Sequence, residues 1–530
     1  MKLSYFKSIV RTLAICLTLG FTSCVGDLNV SPIDPNTTTE FNQDDVFAKI
    51  YATMALTGQQ GPAGDADVVG IDEGTSSFYR LIWNFSELPT DEAICSWGDV
   101  GIPEMNFTRW SSGHGQLEGL YGRLYFDITL CNHFLEQTAG LTDDKTVKQR
   151  AETRFMRALN YYYLLDFFGN VPFVETVSSE LPKQMKRADL YTYIVSELKT
   201  IEPDMYDALQ APYGRADKVA DWMLLSRLYL NAEVYTGTAE WASAAEYAKK
   251  VMDSSYGLCS DYSQLFMGNN GENANARQEI ILPIRFDGVD TQSYGGALFL
   301  IASTHTTGMG SWGTTEGWGG NRGRLALAEK FFTDGNIPAN TVNTTTAAGD
   351  DRALFTTYGE YQDNGITQVF QTSLPIKNVN TFKQGVAVIK FSNSYSNGGT
   401  PKDSKFVDMD VPFMRKAEAY LTYAEALLRS GGSKANALAA VNVLRTRANA
   451  AKLTDLTLSN ILDERSREFY FETLRRTDLI RYGYFTTSSY LWDWKGGTAD
   501  GAGVSSIYNL LPIPASDLNA NENLTQNPGY

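Results

Sequence analysis

A mainly α-helical fold, built from tetratricopeptide-like helix hairpins and interrupted by a loop-rich, irregular insertion, is what this chain of 530 residues predicts. Three observations predict it. Apolar residues recur at helical spacing in paired segments separated by glycines. Alanines sit beside large aromatics in those segments, as close helix crossings need. Between residues 256 and 410 that pattern gives way to Gly, Asn, Thr and Ser with only short β-like runs.

The elements follow in order. Lys2, Lys7 and Arg11 precede an apolar run, Leu13 to Leu19, too short to span a bilayer, so residues 1–23 read as a signal segment. Small residues precede Cys24, as lipoprotein processing requires, which makes Cys24 the expected lipidation site. Several acyl chains on one cysteine anchor stably, whereas one alone is marginal. Residues 24–40, rich in Pro, Asn, Asp and Thr, read as a tether, and residues 41–530 as a single body.

Within that body, helical spacing places Phe155, Leu159 and Tyr162 on one face of a helix over 147–168 that Gly169 stops. Further helices are expected over 189–209, 217–235, 241–252, 411–429, 434–449 and 461–474. Gly237 joins one pair and Gly431-Gly432 another. The scaffold thus covers about 41–255 and 411–485, the insertion about 256–410, and a C-terminal extension 486–530. Ile280 to Arg285 and Val386 to Phe391 are the β-like runs of the insertion.

Composition excludes several functions. With 43% hydrophobic and 20% charged residues the chain is that of a packed globular protein. A net charge of −16 lacks the basic footprint of a nucleic-acid partner. With Cys24 acylated, Cys95, Cys131 and Cys259 form an odd set with no disulfide framework or metal spacing. His114, His133 and His305 share no metal motif. Gly308 to Gly313 spells GxGxxG without a following helix to receive a pyrophosphate. No cofactor is expected. The acidic run Gly64 to Gly74 has the carboxylates for calcium, but it lacks EF-hand spacing and reads better as an exposed loop. Glu464, Glu468 and Glu472 lie four apart on one helix face, which suits a scaffold ion-pair network rather than two carboxylates flanking a glycosidic bond.

Aromatics outside any helical period carry the binding expectation, because loops on a rigid scaffold hold ligand groups. Trp97, Tyr294 and Trp318 sit among Gly, Ser, Thr and Asp. Trp222, Trp241, Trp492 and Trp494 are assigned to packing, and Trp83, Trp110 and Trp312 stay open between the two roles. A sugar ring presents an apolar C–H face edged by hydroxyls. An aromatic ring buries that face for about 1–2 kcal/mol, and charged groups orient the hydroxyls.

Five blocks carry a family resemblance: ELPTDE (87–92), AETRFMRALNYYYLLDFFGNVPF (151–173), PFMRKAEAYLTYAEAL (412–427), ERSREFYFETLRRTDLIRYG (464–483) and the terminal LPIPASDLNANENLTQNPGY (511–530). Over essentially its whole length the chain resembles the SusD-like (RagB/SusD) family of outer-membrane lipoproteins. SPIDP (31–35), DEGTSSFYR (72–80), YGRAD (213–217), GTTEGW (313–318) and YLWDWKGG (490–497) look most like its starch-binding member. The resemblance implies a helical scaffold with a glycan face and no bond-breaking. It implies a lid on a SusC-like TonB-dependent transporter, lipid-anchored to the outer membrane and facing the exterior.

It also implies an arc formed by Trp97, Tyr294 and Trp318, with Arg80 and Asp72 as polar partners of the sugar. The starch-binding member carries a further tryptophan and an asparagine after the matching DEA, where this chain has Cys95 and the shorter Gly98-Asp99-Val100-Gly101. Either Asp99 replaces the lost hydrogen-bonding group, or the ligand is another neutral glycan such as a fructan or β-glucan. Starch or maltooligosaccharide is the first expectation. A purely structural transporter subunit and a glycosidase are the competing roles.

Overall fold

The computed structural model describes residues 40–363, 366–369 and 373–530. The expected signal segment, Cys24 and all of the expected tether but Glu40 lie outside the described residues.

Long helices form the scaffold. They are α1 (Gln43–Ala55), α2 (Phe78–Glu87), α3 (Gly115–Gln137), α4 (Asp144–Phe167), α5 (Arg187–Ile201), α6 (Lys218–Leu230), α7 (Trp241–Asp253), α8 (Ala417–Arg429), α9 (Lys434–Arg447), α10 (Leu458–Phe469) and α11 (Arg475–Arg481). Their starts carry the side chains that satisfy free N–H groups. Asp143 accepts from Thr146 N–H at 3.0 Å, Asp217 from Val219 N–H at 2.8 Å, and Thr457 and Asn460 form a reciprocal capping box.

Consecutive helices pack as hairpins: α3 on α4, α4 on α5, α6 on α7, and α8 on α9, with α7 also lying against α8. Alanines make the last crossings close. Ala417, Ala424, Ala437, Val441, Leu444 and Ile461 form one buried cluster with Leu421 and Phe469. The hairpin architecture expected from the sequence is the one observed, and residues 45–530 make up one compact unit.

Several boundaries differ from expectation. The segment opening at Val411 is first a strand, Val411–Arg415, and becomes helical only at Ala417. This strand pairs antiparallel with Ile280–Ile284, Pro412 opposite Pro283. In this two-stranded ribbon neither proline needs the N–H it lacks. Helix α5 ends at Ile201, where Pro203 leaves a single 3₁₀ turn. Helix α10 ends at Phe469, because Phe471 and Thr473 take left-handed backbone angles, φ 66° and 70°. Their backbone groups are engaged elsewhere: Phe471 O accepts from Trp83 Nε1–H, and Thr473 N–H donates to Glu87.

Between α7 and the 411–415 strand only short elements occur, among them the Ile280–Ile284 strand, a six-residue helix Ala297–Ala302 and small two-stranded ladders. The C-terminal extension folds back on α4: Leu511 N–H donates to Phe167 O at 2.7 Å and Asn527 Nδ2–H to Phe168 O at 2.7 Å.

Candidate glycan-binding site

A three-residue ladder brings the first aromatic residues together. Ala93–Cys95 pairs antiparallel with Asn321–Gly323. Ser96 N–H extends the pairing to Gly320 O at 3.0 Å. Trp97 follows on one strand and Trp318 precedes the other, itself bridged to Thr306 and donating its N–H to Ala302 O at 2.7 Å. Their rings lie 6.4 Å apart, tilted by 51°. Trp318 is also 6.4 Å from Tyr294, at 43°. All three are half-buried. Residues distant in sequence thus form one continuous, curved aromatic strip.

Glycines make the strip possible. A Cβ on Gly320 would lie 2.2 Å from the Trp97 ring, and one on Gly74 would lie 2.7 Å from Tyr294 Cβ. Behind Trp97 stands Phe299, 6.4 Å away. Phe299 belongs to the buried helix Ala297–Ala302, whose unbroken apolar run reads as core in the sequence.

The polar rim has two parts. Arg80, from α2, lays its guanidinium 5.8 Å from the Trp97 ring and 4.9 Å from Phe299. Its Nε has no hydrogen-bond partner. Burial pushes the Arg80 pKa down, while Asp72, Asp99 and Glu73 act the other way. Asp72 is exposed and accepts from Thr75 N–H and Oγ1–H at 3.2 and 2.9 Å, which closes the turn into α2. Asp99 is exposed two residues past Trp97. Glu73, buried with both carboxylate oxygens unpartnered, is pushed up to about 7 by burial and by Asp72.

At the other end, Trp318 Nε1–H donates to Glu316 Oε2 at 2.6 Å. Lys405 Nζ lies 3.7 Å from Glu316 Oε1 and 4.8 Å from the Tyr294 ring centre. Phe406 packs on Tyr294 at 5.4 Å. The structure therefore gathers Trp97, Tyr294, Trp318 and Arg80, and adds Phe299, Glu316 and Lys405, which sequence reasoning missed. Lys405 lies in a polar loop without period, so nothing in the sequence separates it from other surface lysines.

The remaining tryptophans are accounted for, Trp241 lying under the Arg429 guanidinium, which is 5.1 Å from its ring centre. Trp83 is fully buried, and Trp110 is buried with its Nε1–H on Tyr530 Oη at 2.9 Å. Trp312 packs on His305, ring centres 4.3 Å apart, and burial lowers the His305 pKa to about 4. Trp492 is buried, and Trp222 and Trp494 donate to Glu202 Oε1 and Ile376 O. Cys95, Cys131 and Cys259 are free and buried. In the acidic 64–74 loop, Asp67 is taken up by Lys49 at 2.9 Å and Arg123 at 3.4 Å. No group of three or more metal-ligating side chains is found among the described residues.

The glutamate row is wholly structural. Glu464 meets Arg352, Arg445 and Arg467 at 2.8, 2.7 and 3.0 Å. Glu468 meets Arg352, Arg415 and Arg447, and Glu472 meets Lys390 and Arg415. All three carboxylates are taken up in ion pairs, but only Glu464 and Glu468 share a helix face: Glu472 lies beyond the helix end at Phe469, so the expectation of three on one face is corrected for it.

Comparison with known proteins gives a consistent answer. A family model described as "SusD family" matches residues 278–530. A second, "Starch-binding associating with outer membrane", matches 31–230. The starch-binding protein SusD of Bacteroides thetaiotaomicron is 46% identical, with all of both chains covered. A SusD-like protein of Bacteroides ovatus is 26% identical over 69% of this chain and 65% of its own. Among solved structures, surface glycan-binding protein A from Bacteroides uniformis superposes with a TM-score of 0.69 at 19% identity, covering 92% of this chain and 98% of that one. The B. thetaiotaomicron protein of that name, in complex with laminarihexaose, gives 0.66 at 18%, covering 92% and 98%. These two likenesses establish the shared fold, and the full-length identity does the rest: the chain belongs to the SusD family.

Proposed function

We propose that this protein holds starch-type oligosaccharides on the strip formed by Trp97, Trp318 and Tyr294 and hands them to a SusC-like TonB-dependent transporter, acting by binding and not by catalysis. The observation that carries the reading is the strip itself: three half-buried rings, 6.4 Å apart in succession and tilted by 51° and 43°. Tilted rings in series match successive residues of a curved glucan better than a flat one. Arg80, with free N–H donors, and Asp72 and Asp99, as acceptors, supply hydrogen bonds to hydroxyls. The relative at 46% identity is named for starch binding, which supports the α-glucan as first choice. Lipidation at Cys24 would hold the protein at the outer membrane facing the exterior, and the family role supports the transporter as partner. No helix among the described residues is long and apolar enough to cross a membrane.

Calorimetric titration with maltoheptaose, a cyclic maltooligosaccharide, inulin and a mixed-linkage β-glucan tests the assignment. Heat is expected with the two α-glucans. Trp97→Ala and Trp318→Ala should each weaken binding by about 1–2 kcal/mol, roughly 5- to 30-fold. Heat from inulin or the β-glucan alone would replace the ligand, and unchanged affinity in both variants would remove the strip from the site. Release of reducing sugar would overturn the binding role.

A further inference from the structure

The ladder that brings Trp97 to Trp318 does not reach Tyr294, whose loop belongs to neither strand. What joins Tyr294 to Trp318 comes from a third segment, residues 393–408. Asn393, fully buried, donates from Nδ2 to Gly313 O at 3.0 Å and accepts at Oδ1 from Asp408 N–H at 2.8 Å. Gly313 makes room for it, since a Cβ there would lie 2.3 Å from the Asn393 carbonyl carbon. Two further bonds tie this segment to the loop before Trp318: Thr315 N–H donates to Ser404 O at 2.8 Å, and Thr314 Oγ1–H to Lys405 O at 2.6 Å. Asp403 Oδ1 accepts from the N–H groups of Lys405 and Phe406 at 2.7 and 2.8 Å, which fixes the turn that carries both side chains.

From that turn one ammonium serves both rings. Lys405 Nζ lies over the Tyr294 ring, 4.8 Å from its centre, and 3.7 Å from Glu316 Oε1. Glu316 Oε2 in turn accepts from Trp318 Nε1–H at 2.6 Å. Phe406, the next residue, packs on Tyr294 at 5.4 Å. The contacts run from Tyr294 through Lys405 and Glu316 to Trp318, alongside the 6.4 Å separation of the two rings. A carboxylate holds an indole N–H more strongly than a neutral acceptor does, so Glu316 fixes the rotation of Trp318. The ammonium over its face holds Tyr294. The two charged side chains are 37% and 23% exposed, and pairs of that kind add little to folding stability. Their effect falls on binding, because a ring left free to turn must be ordered when a ligand arrives.

We infer that Lys405 and Glu316 are positioning residues of the binding site, a charged clip that sets Tyr294 and Trp318 at their mutual tilt of 43° before a ligand arrives. The inference rests on the strip being the glycan site, and its test separates the two. Protein labelled with ¹⁵N-tryptophan is compared with Lys405→Met, Lys405→Arg, Glu316→Gln and the double variant Lys405→Met/Glu316→Gln, by indole NMR signals without ligand and by titration with maltoheptaose. Lys405→Met should displace the Trp318 indole signal, assigned with Trp318→Phe, and leave those of the buried Trp83 and Trp492 in place. It should weaken maltoheptaose about 2- to 5-fold at unchanged melting temperature. Lys405→Arg, which keeps the charge, should stay near the native affinity. Glu316→Gln keeps an acceptor for the indole but removes the charge, and the double variant should bind no more weakly than either single one, because both changes break the same link. A Trp318 signal unmoved by Lys405→Met, or losses that add in the double variant, overturn the clip and leave the strip as the site wherever the native protein binds maltoheptaose. A displaced signal together with no maltoheptaose binding by the native protein keeps the clip and overturns the α-glucan reading.

Discussion

A hydrogen in place of a methyl group at Gly320 is what lets the Trp97 ring lie against the backbone of the facing strand, because a Cβ there would approach the ring to 2.2 Å. Gly320→Ala should therefore turn the ring out of line without touching the buried core. Oligosaccharide affinity is expected to fall about as far as in Trp97→Ala, roughly 5- to 30-fold, with a change in Trp fluorescence and little change in melting temperature. Full affinity in the glycine variant would mean that the ring's orientation is immaterial. This residue scale is also where the sequence was most and least informative. That Trp97, Tyr294 and Trp318 come together was legible from the family resemblance, supported by their Gly- and Ser-rich setting outside a helical period. Phe299 was not, since it lies in an unbroken apolar run. Glu316 and Lys405 were not, since their value arises only when a loop distant in sequence closes over Trp318 and Tyr294.

Helix α10 illustrates the element scale. Its carboxylates Glu464 and Glu468, four apart, take arginines from α9, from the 411–415 strand and from the insertion, and Glu472 just past its end takes Lys390 and Arg415, so this segment ties the last hairpin to the loop-rich half. Buried ion pairs stabilise little against an apolar replacement, but losing one partner strands the other charges. Glu468→Ala leaves Arg352, Arg415 and Arg447 short of a carboxylate and should cost about 3–5 kcal/mol in urea unfolding. Lys249→Ala, which breaks an exposed pair with Asp253, should cost at most about 1 kcal/mol. Similar losses in the two would show that the network adds no stability of its own. The glutamate spacing made this network readable in advance. Helix α2 went unread although its apolar residues keep a helical period; its polar residues Asn84, Ser86 and Glu87 are buried like the apolar ones, and only Arg80 is partly exposed. The 411–415 strand was hidden because five buried residues before a helix look like its first turn, and only the distant partner Ile280–Ile284 decides otherwise.

Across the whole molecule the buried carboxylates divide into two classes with opposite pH signatures. Burial alone would raise Asp91 and Glu425, but Arg475 beside the first and Arg481 beside the second override it and hold both near 2. Such groups bind fewer protons folded than unfolded, so their stabilisation is present above about pH 4 and is lost as pH falls toward 2. Glu87 and Glu92 behave the other way. Each uses one oxygen, Glu87 accepting from Thr473 N–H and Glu92 from Ser466 Oγ–H, both at 2.6 Å. The remaining oxygens have no other partner and are close enough to share one proton. Burial and the neighbouring acids push Glu92 up to about 7 and Glu87 well above its ordinary value. These groups bind more protons folded than unfolded, so their stabilisation is present below about pH 4.5 and is lost as pH rises through 7. The pair sits at the join between α2, the ladder that carries Trp97, and the α10–α11 turn, so its second deprotonation loads that join with two adjacent buried charges. Glu87→Gln keeps the acceptor for Thr473 and offers Glu92 a permanent N–H donor in place of the shared proton. The urea midpoint of the native protein should therefore fall between about pH 6 and pH 8.5, and that of the glutamine variant should fall measurably less. Equal slopes in the two proteins would mean that the pair carries no shared proton and that the alkaline loss arises at other buried acids, Glu73 and Asp127 first among them, since burial raises both to about 7.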